Sequence, residues 1–179
     1  MPERASLADV RRGEYEGLRE AVASGERLPD FGPHEIGRAG ATAVGARKPL
    51  VAFNVYLDGV DEPAGKEIAK ALRESNGGLP AVRAIAFAVP ERARIVTVSM
   101  NLVDHEVTGL RAAFEEVERL AAEHGMRVTD SEIVGLAPAS ALEPDDGEYL
   151  RLEGFDPDRQ VLEGLVDEGD RPTGEERER

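Results

Sequence analysis

Apolar residues recur along this chain with two periods, and the switches between them lay out its elements. In residues 50–57, Val51, Phe53, Val55 and Leu57 alternate with Ala52, Asn54 and Tyr56, the period of two that predicts a strand with one buried face. Residues 81–89 and 94–102 predict two more strands, and Pro90-Glu91-Arg92-Ala93 between them reads as a hairpin turn. A fourth strand is expected over residues 127–136. Helical spacing appears in residues 61–75, where Ile68, Ala69 and Leu72 form a stripe and Asn76-Gly77-Gly78 supplies the stop. It appears again in residues 108–124, where Leu110, Phe114, Val117, Leu120 and Ala121 share a face. Thr108 is the expected N-cap of that helix and Gly125 its stop. The order β-α-β-β-α-β from residue 49 to 137 is the ferredoxin-like, split βαβ pattern: an α+β sandwich with a four-stranded antiparallel sheet and two helices on one face.

Outside this block the pattern is looser. Residues 6–23 predict an N-terminal helix capped by Ser6, with Leu7, Val10, Tyr15, Leu18 and Val22 near one face and Gly13 and Gly17 weakening it. A short helical turn is expected at residues 139–142 and a short helix at 157–167. The last residues, from Gly169, lack apolar side chains and are expected to be disordered. The expected organisation is residues 1–48 as linker helix and Gly-rich loop, 49–142 as the sandwich, 143–167 as a C-terminal extension and 168–179 as an acidic tail.

Composition narrows the function classes. A formal net charge of −14 over 179 residues argues against nucleic acid and acidic membrane surfaces, which call for a basic footprint. There is no cysteine, hence no thiol catalysis and no thiolate metal site. With no bilayer-length apolar run and no apolar h-region after Met1, a cytoplasmic protein is expected.

Candidate chemistry concentrates between Asp30 and Asn54. Four glycines and two prolines fill this stretch, and Arg38, Arg47 and Lys48 bring positive charge into an acidic chain. Such a loop suits a backbone-lined anion site, or is a plain surface loop; it matches neither a P-loop nor a dinucleotide fingerprint. Asn101 near the end of the third strand, and Asn54 at the equivalent end of the first, can each orient a ligand or satisfy backbone groups. Glu132 is a carboxylate in a half-buried strand, which needs a partner such as Arg47 or faces solvent. Of the three histidines, His34 alone lies in the glycine loop. Neither a catalytic triad nor metal spacing is present among them.

Together these segments resemble the formiminotransferase family, the glutamate formimidoyltransferases and the transferase half of formiminotransferase-cyclodeaminase. The resemblance is carried by residues 7–18 (LADVRRGEYEGL), 29–33 (PDFGP), 40–47 (GATAVGAR), 52–54 (AFN), 98–102 (VSMNL) and 131–136 (SEIVGL), in the family's order. It implies the C-terminal subdomain of a transferase that moves the formimino group between N-formimidoyl-L-glutamate and tetrahydrofolate in histidine degradation. Tetrahydrofolate would serve as a substrate, with no metal. The implied folate and substrate contacts are Gly32, Pro33, His34, Gly40, Ala41, Thr42, Arg47, Asn54, Asn101 and Glu132. The family's histidine motif, His-x-Gly-x-His-Pro-Arg-x-Gly-Ala, has no counterpart here. The resemblance therefore assigns no catalytic residue and implies a separate N-terminal half as partner; a folate- or anion-binding module without activity is the alternative. Self-association into a homo-oligomer is expected if the surface of the absent half is exposed.

Overall fold

The computed structural model describes residues 4, 6–59 and 61–169, which divide into two compact units, Met1–Arg47 and Lys48–Arg179. In the first, the expected long helix is two short ones, α1 (Leu7–Val10) and α2 (Glu14–Ala23). Gly13 breaks it, at φ +84° in the left-handed region where a Cβ is disfavoured. The Arg27 guanidinium donates to the carbonyls of Val10 (2.8 Å) and Arg12 (3.4 Å), collecting the orphan acceptors at the end of α1.

The second unit carries β1 (Val51–Asp58), α3 (Glu62–Leu72), β2 (Val82–Ala88), β3 (Ile95–Leu102), α4 (Leu110–Glu123) and β4 (Arg127–Val134). The strands form one antiparallel sheet in the order β2-β3-β1-β4, so the α+β class and the element order expected from sequence hold. Val51, Phe53, Val55 and Leu57 of the central strand are fully buried and join Ile68, Leu72, Phe114 and Val117 in the core. Helix α3 packs on β2 and β3, α4 on β1 and β4, and the two helices pack against each other. Gly65 lets α3 lie close to the sheet: a Cβ there would stand 2.4 Å from Val96 Cγ1. None of the described helices is long and apolar enough to cross a membrane.

Local chemistry departs from the expected caps. Gly109 is the N-cap of helix α4, while the Thr108 hydroxyl donates to Pro80 O (2.6 Å) and ties the helix start to the turn before β2. Helix α3 ends at Leu72, and Gly77 (φ +84°) closes a following 3-10 turn, Glu74–Asn76, instead of the helix. At the start of α4 a tertiary bond won over the local cap.

Beyond a 3-10 turn at Ala139–Ala141, the C-terminal extension folds into α5 (Asp146–Tyr149), α6 (Pro157–Gln160) and α7 (Leu162–Gly169), two helices where one was expected over 157–167. Helix α7 reaches Gly169, and the rest of the expected disordered tail lies outside the described residues. The extension runs along the free edge of β4. Ser131 N donates to Arg151 O (2.9 Å), and Glu153 N donates to Ser131 O (2.8 Å). Ala137 and the segment at Gln160–Leu162 exchange two more such bonds. An edge strand that would otherwise offer unpaired N–H and C=O groups is thereby covered.

Helix α4 holds the extension in place. The Asp146 side chain, 3% exposed, accepts from Arg111 Nε (2.7 Å) and from the backbone N–H of Glu143 (2.8 Å). Arg111 also pairs with Asp145 and stacks over the Tyr149 ring, 4.4 Å from its centroid. Asp146→Ala leaves Arg111 Nε and the Glu143 amide without their acceptor. We expect it to lower stability by about 2–3 kcal/mol, read from the urea midpoint.

Candidate functional site

Period two in β1 decides where the polar residues go. With the odd-numbered row committed to the core, Asn54 and Tyr56 face the side of the sheet that α3 and α4 leave open. Across the sheet, Asn54 stands opposite Glu132 of β4, and Tyr56 opposite Asp130. Asn101 of β3 shares this face, opposite Ala52 and one diagonal step from Asn54. Asn54 is thus mid-strand, not at the strand end, and its side chain serves another side chain. Three of the residues singled out from sequence (Asn54, Asn101 and Glu132) are brought onto one surface.

A bulge in β4 arranges that surface. The register shifts between Tyr56 and Leu57, which pair with Asp130 and Val128 and leave Thr129 as the extra residue. Val128 can then pack on the core while Asp130 and Glu132 face outward. Thr129 anchors the bulge by donating to Tyr56 O (3.2 Å).

The Glu132 carboxylate accepts twice on one oxygen, Oε1: from Asn54 Nδ2 (2.8 Å) and from the Tyr56 hydroxyl (2.5 Å). These are its partners within the sheet unit; Arg47, the partner considered from sequence, belongs to the other unit. Burial, reinforced by the bond to Glu132, pushes the Tyr56 phenol up to about 12, so it remains a donor at neutral pH. Arg92, in the β2–β3 turn, lies over the Tyr56 ring, 4.7 Å from its centroid, and grips Asp130 with two bonds of 2.7 Å. Tyr56, Arg92 and Asp130 were not singled out from sequence. Tyr56 and Asp130 sit two residues from Asn54 and Glu132 on the same strands, a spacing that could have found them; nothing local marks Arg92.

In the first unit the glycine loop is irregular, as expected. Gly32 (φ +93°) and Gly40 (φ +73°) need the left-handed region; Gly37 and Gly45 do not. Gly40 N donates to Gly37 O (3.0 Å), and the Tyr15 hydroxyl donates to the same carbonyl (3.3 Å), fastening this turn to α2. His34 is exposed and lines a recess of about 200 Å3 with Arg19, Ala23, Glu35 and Ile36. Gly32, Pro33, Ala41, Thr42 and Arg47 are exposed along the loop. The other histidines have structural positions: His105 is buried with Nε2 3.0 Å from Ser140 Oγ, and His124 is the C-cap of α4.

Residues 52–161 match the sequence model described as the Formiminotransferase domain. The chain belongs to the formiminotransferase family. Residues 1–47, which include the glycine loop, match the description "Formiminotransferase domain, N-terminal subdomain". Glutamate formimidoyltransferase of Streptococcus pyogenes serotype M1 is 44% identical over 163 residues, covering 90% of this chain and 54% of the relative. The protein of the same name from Thermoplasma acidophilum is 42% identical over 157 residues, 87% of this chain and 52% of the relative. Formimidoyltransferase-cyclodeaminase of Rattus norvegicus is 42% identical over 149 residues, 79% of this chain and 27% of the relative. The chain thus spans about half the length of its single-function transferase relatives.

The Arg92–Asp130 pair has a pH signature. The guanidinium holds the Asp130 carboxyl below its ordinary value, helped by the Thr129 hydroxyl. A carboxyl whose pKa is lower folded than unfolded stabilises the fold above its unfolded value, and that contribution is lost as pH falls through the folded one. Asp130→Asn should therefore cost about 1 kcal/mol at neutral pH, discounted for the partly exposed guanidinium. Its stability should also fall less steeply than that of the parent as pH drops below about 4 in urea titrations.

Proposed function

We propose that this chain forms the substrate-aligning half of a glutamate formimidoyltransferase. The reaction moves the formimidoyl group between N-formimidoyl-L-glutamate and tetrahydrofolate, releasing L-glutamate in the forward direction, as a cytoplasmic step of histidine degradation. The observation that carries this reading is the family match across nearly the whole chain together with the polar network on the open sheet face.

In the transfer, a folate nitrogen attacks the amidine carbon and the tetrahedral intermediate expels the glutamate nitrogen. The step needs a base for the attacking nitrogen, an acid for the leaving one, and alignment of two substrates. The residues proposed for alignment are Asn54, Asn101 and Glu132 on the sheet, with Gly32, Pro33, His34, Gly40, Ala41, Thr42 and Arg47 on the loop. Arg47 has the planar fork that grips a substrate carboxylate with two bonds. None of the three histidines lies in the family's histidine motif, so the base is proposed to come from an N-terminal half outside these 179 residues. Ile85, Phe87 and Val134, exposed by 56%, 44% and 51%, lie on the open face and favour self-association when it is uncovered.

The test mixes this chain with the part of the Streptococcus pyogenes relative that the match leaves uncovered and follows 5-formimidoyltetrahydrofolate. Transfer is expected from the mixture and from neither part alone. Arg47→Ala should raise KM for N-formimidoyl-L-glutamate about tenfold, the loss of one charge-assisted contact. No gain of activity on mixing would overturn the proposal.

A further inference from the structure

Glu132 is half-buried, yet within its own unit it makes no ion pair; its partners are a neutral amide and a neutral phenol. A carboxylate withdrawn from water without a cation is costly unless something charged completes it. The Arg92 guanidinium, which lies over the Tyr56 ring, is committed to Asp130 through both terminal nitrogens. Both donors to Glu132 converge on Oε1, which orients the carboxylate and leaves Oε2 without a hydrogen bond among the described residues. The site is therefore an anchored anion with one free acceptor edge, on the face not covered by helices.

We propose that Glu132 binds the formimidoyl group itself, its Oε2 accepting an N–H of the protonated amidine. This rests on the transferase reading for the identity of the ligand, but the chemistry is that of the site. A formimidoyl group is a planar N–C–N unit which, when protonated, directs its N–H donors along one edge, as a guanidinium does toward a carboxylate. Toward the amidine, Asn54 and Tyr56 are positioning residues: they hold the carboxylate plane. Salt-bridging the amidine keeps it in the protonated form, whose carbon is the more electrophilic. Arg92 and Asp130, locked together beside Tyr56, add rigidity without adding a free charge that would compete for Glu132.

The intact chain tests this by NMR titration with formamidinium, the smallest amidine, followed at the Asn54 side-chain amide. Formamidinium should shift that signal saturably, and N-formimidoyl-L-glutamate should bind about tenfold more tightly than L-glutamate, the worth of one charge-assisted contact. In Glu132→Gln both the shift and that preference should disappear; Glu67→Gln, on the exposed side of α3, should retain them. Tyr56→Phe, which keeps the carboxylate but loosens its plane, should weaken formamidinium binding only a few-fold. Should Glu132→Gln fail to fold, Glu132→Asp, which withdraws the carboxylate by one methylene, should lose the same preference. Binding that is unchanged in these variants, or no shift at Asn54 in the parent chain, overturns the proposal, as does capture of a pterin in place of the amidine. Glu132-dependent amidine binding without transfer in the mixed assay would remove the transferase reading and leave this site. Transfer with an unchanged KM for N-formimidoyl-L-glutamate in Glu132→Gln would do the reverse.

Discussion

The central strand, bonded to a neighbour along both edges, is the constraint on which the sheet unit depends. Its odd-numbered side chains are shut into the core by two helices, and Gly65 permits one of these to approach closely enough to exclude water. Side chains alternate strictly along a strand, so that commitment leaves Asn54 and Tyr56 no other direction than the open face. A slip of one residue would bury an amide and a phenol and expose Phe53, so hydrophobic burial itself guards the polar surface. The carboxylate network is thus a consequence of the same row of Val, Phe, Val and Leu that stabilises the fold.

The fourth strand has a harder task, because it lies near the sheet margin and must still present Asp130 and Glu132 in register with β1. Two devices accomplish this. The bulge at Thr129 resets which side chains face inward, and the C-terminal extension occupies the strand's outer edge through backbone bonds at Ser131 and Ala137. Gln160 adds a bond from its side chain to Ile133 O (2.9 Å). The extension in turn relies on the buried Asp146 and its Arg111 partner on α4. A residue as far along the chain as Asp146 therefore bears on how firmly Glu132 is held.

Much of this was legible in the residue pattern, and the places where reading failed have physical causes. The four strands and both long helices of the sandwich follow from clean periodicity, displaced by only a few residues at their ends. Thr108 was a sound candidate cap on local grounds, but its hydroxyl finds a carbonyl before β2 and Gly109 takes the cap position. Gly13 carried a visible helix-breaking signal, and its left-handed backbone makes it a stop instead of a weak point. Glu132 was recognised as a strand carboxylate in need of partners; that those partners are Asn54 and Tyr56 depends on strand pairing, to which a single strand's sequence is blind. Arg92 is less legible still, since its position over Tyr56 arises from the path of a turn.

The sequence by itself determined the alternation of strands and helices, the buried row of β1, the irregular glycine loop and the family to which the chain belongs. Those features are local or patterned: they follow from side-chain periodicity, backbone preference and ordered motifs. Only the tertiary structure decided that Glu132 receives two neutral donors on one oxygen, that Asp130 occupies Arg92, and that the C-terminal extension secures the edge beneath both. Each of these unites residues tens of positions apart, and their proximity is set by sheet register and the Thr129 bulge, quantities that exist only once the strands have paired.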